Sequence, residues 1–421
     1  MRTVKFVHCA DLHLDTPFRG LSNVAPDVGK ALNEATFRSF ENIVDLSIRE
    51  HVDFVVIAGD VYQSADRSLR AQLRFRDGLQ SLSDSGIPSY VAFGNHDPLN
   101  GWSNTLDWPP MSNRFLRNGV DVCQVIREGT VIATVHGISH PKEAVTEDLA
   151  RHFEPPDPSV PSIAVLHANV GGDTGHANYA PTTVAELSAS GYTYWALGHV
   201  HARRVLREEA PAIVYPGCSQ SRQPNETGPK GCCLVTLSDG RPPDIRFIPT
   251  DTVRYHRVTV DASGCDSIDA VQRAVVDTCR SVSESSQGRH MVVRVSVTGR
   301  TALHSELTHG DAFADLSEAI RADLAALEPW IWLERLSQDT RGCYNVDELR
   351  QQQDFAGDIV RTYSGLAAAG TNGIALLREE LEADVLSGSV GKLLTPVTDE
   401  EFNQLVEQAM RQTLDRVVEE G

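Results

Sequence analysis

The chain has 421 residues, of which 41% are hydrophobic and 23% charged, a composition that folds and leaves room for two or three domains. Lys and Arg number 38 against 57 Asp and Glu, a net charge of −19, which excludes a protein whose overall field gathers polyanions. A phosphate-bearing substrate would have to be held by local features, such as metal ions, or with the help of a basic partner. No run approaches the ~18 apolar residues of a membrane helix, and the amino terminus passes directly into strand-like sequence at Thr3–His8, so a cytoplasmic protein with no membrane partner is expected. The eight cysteines include no CxxC pair, which disfavours structural zinc and a disulfide framework and leaves them as small buried hydrophobes.

Val4 to Cys9 reads as a strand and runs into Asp11-Leu12-His13, a carboxylate and an imidazole two residues apart on one turn. An amphipathic helix is predicted around Thr36 to His51, with Phe37, Phe40, Ile43, Val44 and Ile48 on one face. The near-continuous apolar run from Asp53 suits a strand buried on both faces and ends in Gly59-Asp60. A second helix, around Leu69 to Ser83, leads to the strand that begins near Ile87 and ends in Gly94-Asn95-His96-Asp97. Thr130 to His136 alternates like a strand, and the proline-rich stretch 155–161 is a loop before the buried strand Ser162–His167. The glycine-rich stretch 171–176 lacks the lysine and helix context of a phosphate loop and is expected to shape a cleft. Tyr194–Gly198 is another strand, ending in His199-Val200-His201; Ile213–Tyr215 and Lys230–Leu237 complete a β-rich portion.

From about Tyr255 the pattern changes to a smaller α+β region: strands at Tyr255–Val260, Met291–Val297 and Trp330–Glu334, with helices at Ile268–Cys279 and about Ala312–Leu327. The remainder is mostly helical, with a capping box predicted at Thr398–Glu401. The domains are therefore expected at 1–252, 253–338 and 339–421. Residues 374–421 carry 11 acidic and 4 basic side chains, which suits either a solvated helix packed on its own domain or a docking helix for a partner.

Strand ends are where α/β sheets place their chemistry, and here they carry Asp11, His13, Asp60, Asn95, His96, His167, His199 and His201. Oxygen and imidazole donors without thiolates suit divalent ions such as Mn²⁺, with Fe²⁺ or Zn²⁺ as alternatives. Two such ions sharing a carboxylate can clamp an in-line phosphoryl displacement and lower the pKa of the attacking water. A histidine that follows a ligand directly is placed to serve a leaving oxygen.

Asp11-x-His13, Gly59-Asp60, Gly94-Asn95-His96-Asp97, His167 and Gly198-His199-x-His201 resemble, in order, the five motifs of calcineurin-like metallophosphoesterases, across residues 1 to about 250. The stretches Cys9–Asp15, Asn178–Pro181, Tyr194–His201, Pro216-Gly217 and Glu226–Gly231 extend the resemblance to SbcD/YhaO-type DNA repair exonucleases. The resemblance implies an α/β fold in which a β-sandwich is flanked by helices, followed by an α+β capping domain and a helical region. It implies one ion on Asp11, His13, Asp60 and His201, a second on Asp60, Asn95, His167 and His199, and His96 as catalytic acid oriented by Asp97. DNA would be the substrate and an SbcC-like coiled-coil ATPase the partner, with a homodimer a further option. The loop Cys218–Gln223 departs from the family pattern but keeps Arg222 as a candidate phosphate ligand. His8, His136, His140 and His176 are expected to support the site or the fold. A small-molecule phosphodiesterase, a phosphoprotein phosphatase and a non-catalytic scaffold of the same fold remain as alternatives.

Overall fold

The computed structural model of the chain describes residues 3–16, 26–63, 68–101, 106–116, 119–172, 175, 177–308, 311–368 and 399–419. The chain forms two compact units: one of Met1–Arg257, Ser281–Val293 and Ala326–Glu334, the other of Val258–Arg280, Arg294–Ala325 and Arg335–Gly421.

The first unit opens with β1 (Thr3–Cys9), α1 (Pro26–Arg49), β2 (Phe54–Ala58), α2 (Leu69–Asp84), β3 (Ser89–Ala92) and β4 (Ser112–Arg114). It continues with β5 (Asp121–Arg127), β6 (Thr130–Gly137), β7 (Ser162–His167), α3 (Val184–Ala189), β8 (Tyr194–Gly198), β9 (Arg204–Arg207), β10 (Ala212–Tyr215), β11 (Gly231–Ser238) and β12 (Asp244–Pro249). These strands make two six-stranded sheets, ordered β12-β11-β1-β2-β3-β4 and β5-β6-β7-β8-β10-β9. In the first sheet β1 to β4 are parallel and β11 and β12 join antiparallel at one side, whereas in the second the middle strands are parallel and both flanking pairs antiparallel. That arrangement matches the sequence: Phe54–Ala58 and Ser162–His167 are buried along their whole length, as parallel strands covered on both faces must be.

Side-chain alternation sorts the core into layers. Val4, Phe6, Phe54, Val56, Ile163, Val165, Tyr194 and Val214 fill the space between the sheets. Val7, Cys9, Val55, Ile57 and Val91 face outward and are covered by Phe37, Phe40 and Ile43 of α1 and Phe75 and Leu79 of α2. On the opposite outer face Leu166, Trp195, Leu197 and Ile213 pack with Leu149, Phe153 and Leu187. The result is the helix-flanked β-sandwich expected from the sequence. α1 begins ten residues before the predicted helix, and Leu32 and Ala35 of that added length bury against Val253, Tyr255, Val292 and Trp332.

The chain then forms β13 (Val253–Asp261), α4 (Ile268–Ser285), β14 (His290–Thr301), α5 (His304–Thr308), α6 (Ala312–Ala325) and β15 (Ile331–Gly342), with the strands in one sheet ordered β13-β14-β15. Within the second unit, α4 buries Val271, Val275 and Cys279, and α6 buries Leu316, Ile320 and Leu324. The unit ends in α7 (Val346–Gln351), α8 (Phe355–Ala368) and α9 (Asp399–Glu419). Leu414 of α9 is fully buried with Val360, Ile359 and Leu349, beside Met410 and Val417. Asp415 of α9 accepts from Arg300 Nη1 at 2.9 Å and lies 3.3 Å from Arg341 Nε. Part of the acidic carboxyl-terminal stretch is thus packed on its own unit; the predicted capping box at Thr398 lies outside the described residues. Among the described residues no helix is long and apolar enough to cross a membrane.

Candidate metal centre

Register places the carbonyl ends of β1, β2 and β3 together, with Cys9 opposite Ile57 and Ala58 opposite Ala92, while His167 stands opposite Gly198 in the other sheet. At this rim the two sheets approach so closely that side chains are excluded. A Cβ on Gly94 would overlap Asp60 Oδ1 and the His167 ring, and one on Gly198 would overlap the carbonyl of Ala58. The backbone here is also unusual: Asp11, His13, Asp60 and His199 have φ of 51°, 43°, 50° and 102°. Left-handed conformations at non-glycine residues cost of order 1–3 kcal/mol each and cluster where a site requires them.

The side chains so displayed converge. Asp11, His13 and His201 place ligand-type atoms within 4.8 Å of one another, as do His13, Asp60 and His96, and Asp11, Asp60 and His167. Asp60 lies centrally: its Oδ2 is 3.6 Å from His13 Nε2 and 3.4 Å from His167 Nε2. Asn95 Oδ1 is 3.0 Å from His167 Nε2 and 3.1 Å from His199 Nδ1. His13 Nε2 and His201 Nε2 face each other at 3.4 Å, and His13 Nδ1 is buried without a hydrogen-bond partner.

The outer nitrogens fix how the rings are oriented. His167 Nδ1–H donates to the Ala58 carbonyl at 2.9 Å, and His199 Nε2–H donates to that of Ala177 at 2.7 Å. His201 Nδ1–H donates to Glu226 Oε1 at 2.8 Å. A neutral imidazole has a single proton, so in the neutral form that binds a metal these bonds leave the inward nitrogens of His167, His199 and His201 with their lone pairs available. Metal-ligating histidines are oriented in this way by outer partners. Burial alone would depress the His167 pKa, but the Asp60 carboxylate outweighs it and raises it to about 9. The site therefore calls for positive charge, and the donor set of carboxylate, amide and imidazole fits a divalent ion.

His96 is half-buried on the loop after β3. Its backbone N–H donates to Asp60 Oδ1 at 3.0 Å, and its ring meets that of His13 edge to face. Burial lowers its pKa, Asp60 opposes that shift and Arg222 adds to it. Asp97 does not hold the His96 ring. Its carboxylate accepts the N–H groups of Gly94, Val61 and Tyr62 at 2.7, 2.7 and 3.2 Å, tying the β2 and β3 loops together. Burial raises its pKa to about 7, with the Asp60 charge adding to the shift. The residue on the His96 ring is Gln63, whose Nε2 is 2.9 Å from Nδ1.

The divergent 218–223 loop is anchored through Gln220, which donates to Val253 O at 2.7 Å, and through Ser221, which donates to Glu226 O at 2.7 Å. This carries Arg222 to the rim, where it donates to Gln63 Oε1 at 3.3 Å and its Nη2 lies 3.2 Å from His201 Nδ1. Gln63 and Glu226 were invisible as site residues in sequence. One is an ordinary loop amide, the other part of a turn, and only the tertiary structure brings them to a histidine.

Of the other histidines, His140 reaches the His167 carbonyl through Nε2 at 2.7 Å, and His8 bonds to Tyr194 and the Leu197 carbonyl between the sheets. His136 bonds to Tyr192 and Thr134, and His176 lies outside the described residues. Cys9, Cys218, Cys232 and Cys233 are buried, and burial pushes each thiol up, so they stay protonated and inert.

Residues 4–203 match the calcineurin-like phosphoesterase family, and residues 255–341 match the family described as metallophosphoesterase YhaO, middle domain. The chain is 34% identical over 346 residues to the uncharacterized metallophosphoesterase YhaO of Bacillus subtilis (strain 168), covering 82% of this chain and 84% of that one. It is 28% identical over 286 residues to the DNA double-strand break repair protein Mre11 of Aeropyrum pernix, with 64% of this chain and 67% of that one covered. To the protein of the same description in Sulfurisphaera tokodaii it is 26% identical over 277 residues, with 62% and 67% covered.

Proposed function

The chain belongs to the YhaO-type calcineurin-like metallophosphoesterases, and on that footing we propose that it is a metal-dependent phosphodiesterase that degrades DNA from its ends in DNA repair. The observation that carries the metal chemistry is the place of Asp60, with one carboxylate oxygen between His13 and His167 at 3.6 and 3.4 Å. A buried carboxylate between two imidazole clusters suits a bridging ligand. Asp11, His13 and His201 would complete one ion's sphere, and Asn95, His167 and His199 the other's. When bound, two divalent ions, Mn²⁺ for preference, would neutralise phosphoryl charge and activate the attacking water.

The chain's own residues supply the rest. Arg222 reaches the rim as a guanidinium that can hold a non-bridging phosphate oxygen in a bidentate grip. His96 stands beside the cluster and directs a ring nitrogen to the scissile group or the leaving oxygen. Asp97 keeps the two loops in register by bonding their backbone. With a net charge of −19 the chain itself repels DNA at long range, which supports a role for a basic partner, of the SbcC-like ATPase kind, in presenting the substrate. Residues 253–338 would act as the capping domain and 339–421 as the docking region.

The test is purified protein with Mn²⁺ and end-labelled single- and double-stranded DNA, beside a chromogenic phosphodiester, with His96→Ala as control. Metal-dependent and His96-dependent shortening of DNA is expected. Cleavage of the small ester alone would overturn the DNA reading for the isolated chain, and cleavage of neither with metal bound would favour a scaffold.

A further inference from the structure

Which nitrogen of His96 carries its proton is decided by a neighbour outside the ligand set. Gln63 lies just beyond β2, and its side chain spans two groups. Its Oε1 accepts from Arg222 Nη1 at 3.3 Å, and its Nε2 is 2.9 Å from His96 Nδ1. The guanidinium has donors only. Turning the Gln63 amide over would set NH₂ against guanidinium N–H, so Arg222 permits a single orientation. Arg222 is held in turn, its backbone N–H donating to Glu226 Oε2 at 2.7 Å and its Nη2 lying 3.9 Å from Glu226 Oε1. The amide therefore presents only N–H to His96, and Nδ1 must accept. A neutral imidazole has one donor and one acceptor, which places its proton on Nε2.

We propose that Gln63 is the positioning residue of His96: backed by Arg222 and Glu226, it selects the Nε2–H tautomer, so that the ring meets substrate as a neutral hydrogen-bond donor. A carboxylate at position 63 would do the reverse. It would accept from Nδ1–H and leave Nε2 as a bare acceptor, unable to donate to a phosphoryl or leaving oxygen unless the ring gained a second proton. The choice of amide over acid thus sets the hydrogen-bonding sense of the ring. The statement about substrate rests on the phosphodiesterase reading; the assignment of the proton does not.

The test uses the full chain labelled with [¹⁵N]histidine, metal-free and Zn²⁺-loaded, at a pH above the range where imidazoles titrate. Two-bond ¹H–¹⁵N correlations report each ring's tautomer, and the His96 signals are identified by their loss in His96→Ala. The expected result is an unprotonated Nδ1 and a protonated Nε2 in the wild type, inverted in Gln63→Glu and mixed in Arg222→Ala. In parallel, bis(p-nitrophenyl) phosphate hydrolysis with Mn²⁺ should fall on the order of 10²-fold in kcat for Gln63→Glu, with bound Mn²⁺ unchanged. A wild-type His96 protonated on Nδ1 would overturn the inference whether or not any variant folds, as would a Gln63→Glu tautomer identical to the wild type. Absence of hydrolysis with Nε2–H intact would overturn the phosphodiesterase reading alone and leave the tautomer assignment standing.

Discussion

The rim of the two large sheets and the helical end of the second unit are built on opposite principles. At the rim, buried charges, positive-φ residues and excluded Cβ atoms stand together, each unfavourable alone. In α7, α8 and α9 an apolar seam is buried and charges lie at its edge, as in Asp415 with Arg300 and Arg341. The first arrangement spends stability on geometry, and the second makes stability from pattern. A substitution at the rim should therefore show mainly in metal binding and activity, and one in the helices mainly in folding.

Four experiments bear on that contrast. The largest effect is expected for Asp60→Ala, which removes the shared carboxylate. Bound Mn²⁺ measured by elemental analysis should fall to near zero, with activity down by on the order of 10³-fold or more. Metal content equal to that of the wild type would contradict the bridging role. Next is Gly94→Ala, whose methyl must displace Asp60 or His167. Overpacking of this kind costs about 1–3 kcal/mol, and titration with Mn²⁺ should show weakened binding; wild-type affinity would mean that the rim is more plastic than its contacts imply.

In the other region, Asp415→Ala should lower stability by about 1–2 kcal/mol, a buried-pair loss discounted for the partly exposed arginines. Hydrolysis of the small ester should stay unchanged, and a parallel fall in kcat would erase the distinction between the regions. The smallest effect concerns His8, which burial drives down to about 3. Below pH 6.5 the unfolded chain takes up a proton there that the folded chain refuses until about pH 3. Its contribution is complete above pH 6.5 and should shrink by about 1 kcal/mol on going to pH 5.5. Urea titrations of wild type and His8→Gln would reveal it as a difference in pH slope.

Much of this was legible in the residues themselves. β2, the Ile163–Leu166 centre of β7 and β8 are apolar because both faces are covered, and the glycines and polar residues at the ends of β2, β3 and β8 mark where the chain must turn with little room. Those signals are local. β5 leaves little trace in the sequence, since it is an outer strand whose Val122 and Ile126 stay exposed and whose alternation is broken by a register shift after Val125. The early start of α1 was hidden for another reason: Leu32 and Ala35 gain their burial from residues more than two hundred positions away. The same holds for Gln63, Glu226 and the Ala177 carbonyl, whose roles come from partners that proximity in the chain does not suggest. The pairing of His96 with Asp97 is what the family resemblance implies, whereas here the backbone of two loops takes the carboxylate.

The His167 ring is bordered by Gly59, Gly94 and Gly198, which belong to three different strand ends. For anyone wishing to retune the centre toward another metal, that is a practical boundary. None of those three walls can be thickened by one substitution without striking the ring or the strand beside it. The adjustable parts lie further out, at Glu226 behind His201 and at Gln63 behind His96. Redesign of this enzyme should start from the loops that hold the histidines, with the glycine walls left as they are.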